Sequence, residues 1–264
     1  MKRLQQLGVG STRKQAETLT EVEEESLWDK GLLGDHTPQA LLDTIIFYNG
    51  YYFALRSGTE HRQLRHNPCQ IQVVEHSGER PFLRYTEDIS KNCPGGLKGR
   101  NIKPKVVLQH ANLEDPKRCF VRLFKLYKSL CTHDAPADAF YLRPANNPTA
   151  KCWYSKQPLG CTKLSKTVAC LCSTAGILGH KTNHSLRATI TSRLYHSGVD
   201  EQLVMERTGH RSLEGVRSHK RTSDQQRETL SDILNCPKRS RTESAPLPPP
   251  PESLVPTYIS SETH

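Results

Sequence analysis

The feature that most limits the fold of this chain is a change in the period of its hydrophobic residues. Between residues 71 and 108 three short runs, Ile71 to Val74, Phe82 to Tyr85 and Lys105 to Leu108, are rich in β-branched or aromatic residues and are separated by Ser77-Gly78 and Pro94-Gly95-Gly96. Short β-prone runs broken by Gly and Pro predict antiparallel strands. On either side the apolar residues return at three- and four-residue steps. Leu41, Ile45, Tyr48, Tyr52 and Leu55 follow Thr37-Pro38, an N-cap with Pro at the first helical position, and the predicted helix carries Arg56 at its end. Phe120, Leu123, Phe124, Tyr127 and Leu130 mark a second helix, and Lys163 to Cys172 a third. Leu186, Ile190 and Leu194 mark another that ends at Gly198, and Asp200 caps the next, carrying Leu203 and Val204. The fold class is therefore α+β, mostly helical, with a small antiparallel sheet.

Three segments follow from composition. Residues 1–29 read as a polar leader, in which acidic Glu21 to Glu25 precede Leu27 and Trp28 and predict a short helix and lid. Residues 30–235 form the principal domain, and 236–264 a basic and Pro-rich tail expected to be disordered, with Lys238 to Arg241 and then Pro248 to Pro251. That basic cluster reads equally as a functional element, either a nuclear-localisation signal or an extra phosphate contact, and as an ordinary solvated run on a tail.

Lys and Arg number 37 against 27 Asp and Glu, a formal charge of +10. The excess suits a polyanion, with nucleic acid the natural partner, although charge alone equally fits a solvated basic surface. The first residues lack an apolar signal segment and no run has the length of a membrane span, so a soluble, intracellular protein is expected, with no membrane partner. Nine cysteines, an odd number scattered along the chain, predict reduced thiols. Cys170 and Cys172 lie near His180 and His184, but C-x-C is not the C-x₂-C spacing of a zinc site. They read as structural thiols, and neither a metal nor a cofactor is expected.

Chemistry concentrates in Lys181 to Thr189 and Arg207 to Ser212. His184 and Arg187, three residues apart near a helix N-terminus, share one face, where unpaired backbone N–H groups also favour an anion. A planar guanidinium can donate to two phosphate oxygens at once, which an ammonium cannot. His210 stands in Glu206-Arg-Thr-Gly-His-Arg-Ser212, and Arg56 in Phe53-Ala-Leu-Arg-Ser-Gly-Thr-Glu60.

In this order the motifs resemble those of the tyrosine recombinase catalytic domain, specifically the Crypton-derived type found in MYM-type zinc-finger proteins and the glutamine-rich protein family. The resemblance spans roughly residues 30 to 234. It implies that Arg56 and Arg187 hold the non-bridging oxygens of a scissile phosphate. By the same resemblance His184 accepts the proton of the attacking hydroxyl and His210 hydrogen-bonds the phosphate. A hairpin lysine protonates the leaving 5′-oxygen in that family; Lys91 is the first choice and Lys98 the second. DNA contacts are expected from Arg56, Arg187, Arg211, Lys220 and Arg221. Two positions depart from the pattern. Thr59 stands where an acid is common, the acid being Glu60, and His219 stands nine positions after His210, where the family has its attacking Tyr. Tyr195 reads as a packing residue. The expected function is that of a nuclear, transposon-derived protein that binds double-stranded DNA without strand transfer. The competing readings are a nuclear protein-interaction module with a vestigial cleft and a weakly active strand-transfer enzyme. The segment preceding the catalytic half is too short for the clamp domain of complete recombinases, so a fragment or domesticated derivative is expected.

Overall fold

The structure is a computed structural model, and it describes residues 15–56, 58–88, 104–219 and 224–235. The chain divides into a unit spanning Met1–Arg221 and a second spanning Thr222–His264. In the first unit everything is built around α2 (Pro38–Tyr52). Thr37 caps it, its hydroxyl accepting from the Ala40 N–H at 3.1 Å, with Pro38 in the first turn. Such a cap stabilises a helix by about 1 kcal/mol. Residues Leu41, Leu42, Ile45, Ile46, Phe47 and Tyr48 are all buried, so this helix lies largely inside the core, with Gln39 and Asp43 marking its polar edge. It packs against the short α3 (Gly58–Arg62), α4 (Phe120–Ser129), α5 (Cys161–Thr174) and α6 (Asn183–His196). The expected stripe of α4 is observed, with Phe120, Leu123, Phe124 and Tyr127 buried. Tyr48 and Phe53 pack around Phe120 at the end of α2, their ring centroids 5.2 and 5.6 Å from it in edge-on and tilted arrangements.

The predicted sheet is present as β1 (Ile71–Val74), β2 (Phe82–Thr86) and β3 (Val106–His110), antiparallel in that order. Ile71, Tyr85 and Val107 stand side by side on its buried face. Lys105 lies just before β3 rather than inside it. The turn carrying Lys91 and Lys98 lies outside the described residues.

Sequence periodicity missed a second sheet. Where a mostly helical chain was expected after the first sheet, β4 (Leu142–Thr149) and β5 (Cys152–Pro158) form a hairpin. Pro144, Pro148 and Pro158 interrupt its ladder and its register shifts, which is how proline obscures a strand pattern. The helix that Asp200 was expected to cap is α7 (Glu201–Thr208); within it Val204 packs inward while Leu203 is 56% exposed.

The segment read as a polar leader contributes to the core. Leu19 and Leu27, the latter on α1 (Glu21–Asp29), are buried, and the Leu19 N–H donates to the Thr189 hydroxyl on α6 at 2.8 Å. Glu23 pairs with Lys181 at 2.9 Å and Glu24 with Arg193 at 2.7 Å. In the second unit, α9 (Asp224–Leu234), which follows α8 (Leu213–Arg217), exposes Leu230, Ile233 and Leu234. The Pro-rich tail and the cluster Lys238 to Arg241 lie outside the described residues. Among the described residues no helix is long and apolar enough to cross a membrane, and every cysteine is a free thiol.

A candidate phosphate-binding cleft

Arg56 does not sit on the helix that was expected to carry it. Helix α2 stops at Tyr52, and the chain turns sharply at Ala54, whose φ is 53°. A residue with a Cβ in this left-handed region costs of order 1 kcal/mol. The turn brings the neighbouring carbonyls to bear on two cations: the Phe53 oxygen accepts from Lys105 Nζ at 2.6 Å and the Ala54 oxygen from Arg187 Nη1 at 3.0 Å. Two residues later, Arg56 donates from Nη2 to the Gly209 carbonyl at 3.3 Å.

Five of the residues singled out from sequence, Arg56, His184, Arg187, His210 and His219, converge here with one that was not. Arg187 reaches the cleft from the first turns of α6, whose N-terminus is closed by Thr182: its hydroxyl accepts from the His184 N–H at 3.2 Å, and its own N–H donates to Ser185 Oγ at 3.0 Å. Arg187 is 2% exposed, and its Nη2 is buried with no hydrogen-bond partner. Burial first, and the adjacent Arg56 second, push its pKa down to about 9, so it stays cationic at neutral pH. Its Nε donates to His210 Nε2 at 3.4 Å, while His210 Nδ1 pairs with the Thr208 hydroxyl at 2.7 Å. Burial and then Arg187 hold His210 far below the usual imidazole range, so it is neutral. His184 and His210 are bridged by His219, whose ring lies 5.0 Å from the first and 5.1 Å from the second.

Lys105 is the residue that sequence reading missed. Although the residue as a whole is half-buried, its ammonium turns inward onto the Phe53 carbonyl and over the Tyr85 ring. Burial, and then Arg187, push its pKa down to about 7; Glu87 and Glu60 oppose this and Arg56 adds to it. Gly209 makes room for it. Its φ is +70°, and a Cβ there would stand 3.1 Å from Lys105 Cδ. The remaining wall carries Glu60, Glu87 and Tyr85. Glu60 performs the buttressing expected of an acid one position earlier, accepting from the Arg56 N–H at 2.7 Å with its other oxygen 4.0 Å from Arg56 Nε.

The other expected residues fall elsewhere. Arg211 is exposed just after His210, and Lys220 and Arg221 lie outside the described residues. Tyr195 is half-buried and donates to Glu201 at 3.3 Å, away from the cleft. Cys172 is buried and Cys170 exposed. Among the described residues no three His, Cys, Asp or Glu side chains are placed to hold a metal ion. Chemically, two guanidiniums, a low-pKa lysine and the neutral His210 imidazole around an unpaired buried N–H can bind an anionic oxygen such as that of a phosphate.

The family model described as "Domain of unknown function (DUF3504)" matches residues 18–173, more than half of the chain. The chain belongs to the DUF3504 family. A second model, "Phage integrase family", matches residues 125–226. Arg56 and Lys105 lie in the first matched segment, and His184, Arg187, His210 and His219 in the second, so the cleft is assembled from both. Human transcriptional regulator QRICH1 is 30% identical over 146 residues, 52% of this chain and 18% of its own length. Human zinc finger MYM-type protein 3 is 30% identical over 151 residues, 52% of this chain and 11% of its own. The chain spans less than a fifth of the length of these relatives. Among solved structures, XerH site-specific recombinase in a post-cleavage complex aligns with a TM-score of 0.52 and 21% identity, over 86% of this chain and 55% of that one. The fold is that of a tyrosine recombinase catalytic domain.

Proposed function

We propose that this domain is a transposon-derived, recombinase-like module that binds duplex DNA through its phosphates and does not perform strand transfer. The observation that carries the reading is the convergence of Arg56, Lys105 and Arg187 on one cleft, with a buried Nη2 of Arg187 left without a partner. A phosphate oxygen supplies the acceptor that this N–H lacks. Arg56 and Arg187 grip the non-bridging oxygens, His210 orients Arg187, and Lys105 takes the role expected of a hairpin lysine. The likeness to XerH, which is described bound to its difH substrate, supports DNA as the ligand. Relatives named as a transcriptional regulator and zinc finger proteins support a nuclear setting. The family resemblance of the motifs supports a Crypton origin.

His219 occupies the position of the attacking Tyr, and the covalent 3′-phosphotyrosine that stores the energy of the broken bond cannot form without a phenol. Binding is tested by titrating labelled duplexes of several sequences at a series of salt concentrations. Arg187→Ala weakens all of them similarly and lowers the salt slope by about one unit; binding that ignores salt contradicts the reading. Strand transfer is tested on a nicked suicide substrate by denaturing electrophoresis. The unmodified protein yields no shifted protein–DNA band, whereas His219→Tyr restores weak trapping if the rest of the cleft holds its geometry.

A further inference from the structure

Replacing a phenol by an imidazole removes one reaction and makes another available. His219 does not hang loosely at the edge of the cleft. Its N–H donates to the Val216 carbonyl at 3.0 Å, its own carbonyl accepts from the Ser192 hydroxyl at 2.9 Å, and its ring lies between those of His184 and His210. His210 in turn accepts from Arg187. The His219 imidazole therefore stands one ring away from the Arg187 guanidinium, while the Lys105 ammonium is held at the Phe53 carbonyl, next to the Ala54 carbonyl that accepts from Arg187. An imidazole is shorter than a phenol, so from the same backbone position its nitrogens end short of where a phenol oxygen would stand.

We propose that the cleft is a metal-independent DNA phosphodiesterase, in which His219 activates a water molecule and Lys105 protonates the leaving oxygen. The proposal rests on the cleft holding a DNA phosphate as argued above. Water oxygen attacks phosphorus while its proton passes to the His219 imidazole, and the new P–O bond forms as the P–O5′ bond breaks. The departing 5′-oxygen takes a proton from the Lys105 ammonium, leaving a 3′-phosphate and a 5′-hydroxyl. Exchange with solvent returns one proton to Lys105 and removes one from His219. Arg56 and Arg187 stabilise the charge that grows on the phosphoryl oxygens, work done elsewhere by a metal ion. Burial, which brings the Lys105 pKa to about 7, makes it a better proton donor at neutral pH than an ordinary lysine.

The test uses the full chain and supercoiled plasmid in excess EDTA, with nicked circles as the readout. The unmodified protein nicks, and the new end resists polymerase extension until a phosphatase removes its 3′-phosphate. His219→Asn, checked for an unchanged melting transition, lowers nicking at least about a hundredfold while leaving plasmid binding within about threefold; His219→Gln serves if the first variant melts early. Equal nicking by the unmodified protein and both variants overturns the proposal, as does a covalent band from the unmodified protein. Plasmid binding without any nicking overturns this inference alone, whereas loss of binding by the unmodified protein overturns the DNA-binding reading beneath it.

Discussion

Arg187 and Lys105 are held by carbonyls, not carboxylates. A carbonyl satisfies a buried N–H without cancelling its charge, so the cations remain available to a phosphate. Maintaining that arrangement costs strain at Ala54 and the desolvation that brings Lys105 to about 7. The consequence is a measurable proton linkage. Lysine whose folded pKa lies below its unfolded value destabilises the fold where it must be charged; stability contributed by this group therefore rises as pH increases from about 7 toward the ordinary lysine range. A bound phosphate reverses the preference, because it joins Glu60 and Glu87 in favouring the ammonium against Arg56 and Arg187. If the cleft takes DNA as proposed, binding near pH 8 is expected to take up protons, with affinity weakening as pH rises through about 7. Calorimetry in buffers of different ionisation enthalpy should register this uptake, and Lys105→Met should remove it. Uptake that is unchanged in that variant places the titrating group elsewhere. Lys105 was not legible from sequence because it opens a β-prone run, whereas lysines flanking a Pro-Gly-Gly turn look more exposed to a ligand; only the fold of the Phe53–Ala54 turn shows where its ammonium goes.

At the level of the element, α6 is the piece most completely written in local sequence. Thr182 and Ser185 form a reciprocal cap, Leu186 and Ile190 face the core, and Gly198 follows the end with φ 72°. Capping side chains and helical spacing act over three or four residues, so they are readable from a single chain. The same cap positions His184 and Arg187. Thr182→Ala is expected to cost about 1 kcal/mol in chemical denaturation and to weaken DNA binding beyond what that stability loss explains, since the first turn frays. An unchanged midpoint would mean that tertiary packing alone holds this end. The β4–β5 hairpin was illegible for the opposite reason. Its strands keep few buried residues and are broken by proline, and its pairing is a long-range choice that no local pattern records.

At the scale of the molecule, the acidic segment before α2 ties the domain together. Composition described it as polar, yet Leu27 is fully buried and Glu23 and Glu24 clasp Lys181 and Arg193 beside α6. Leu27→Ala should destabilise the domain by about 2–5 kcal/mol, the range for emptying a buried leucine site, seen as a lower denaturation midpoint; a near-zero change would show that α1 is peripheral. By itself the sequence determined the class of the fold, the existence of most helices and of the three-stranded sheet, and the four residues Arg56, His184, Arg187 and His210, because periodicity, caps and motif order are short-range signals. Tertiary structure decided the rest: that Lys105 joins those four, that Glu60 serves Arg56, and that His219 rests between two other imidazoles. These depend on contacts between segments as far apart as the Phe53–Ala54 turn, the start of β3 and the end of α7, and close packing of distant parts of a chain leaves no local mark in the order of its residues.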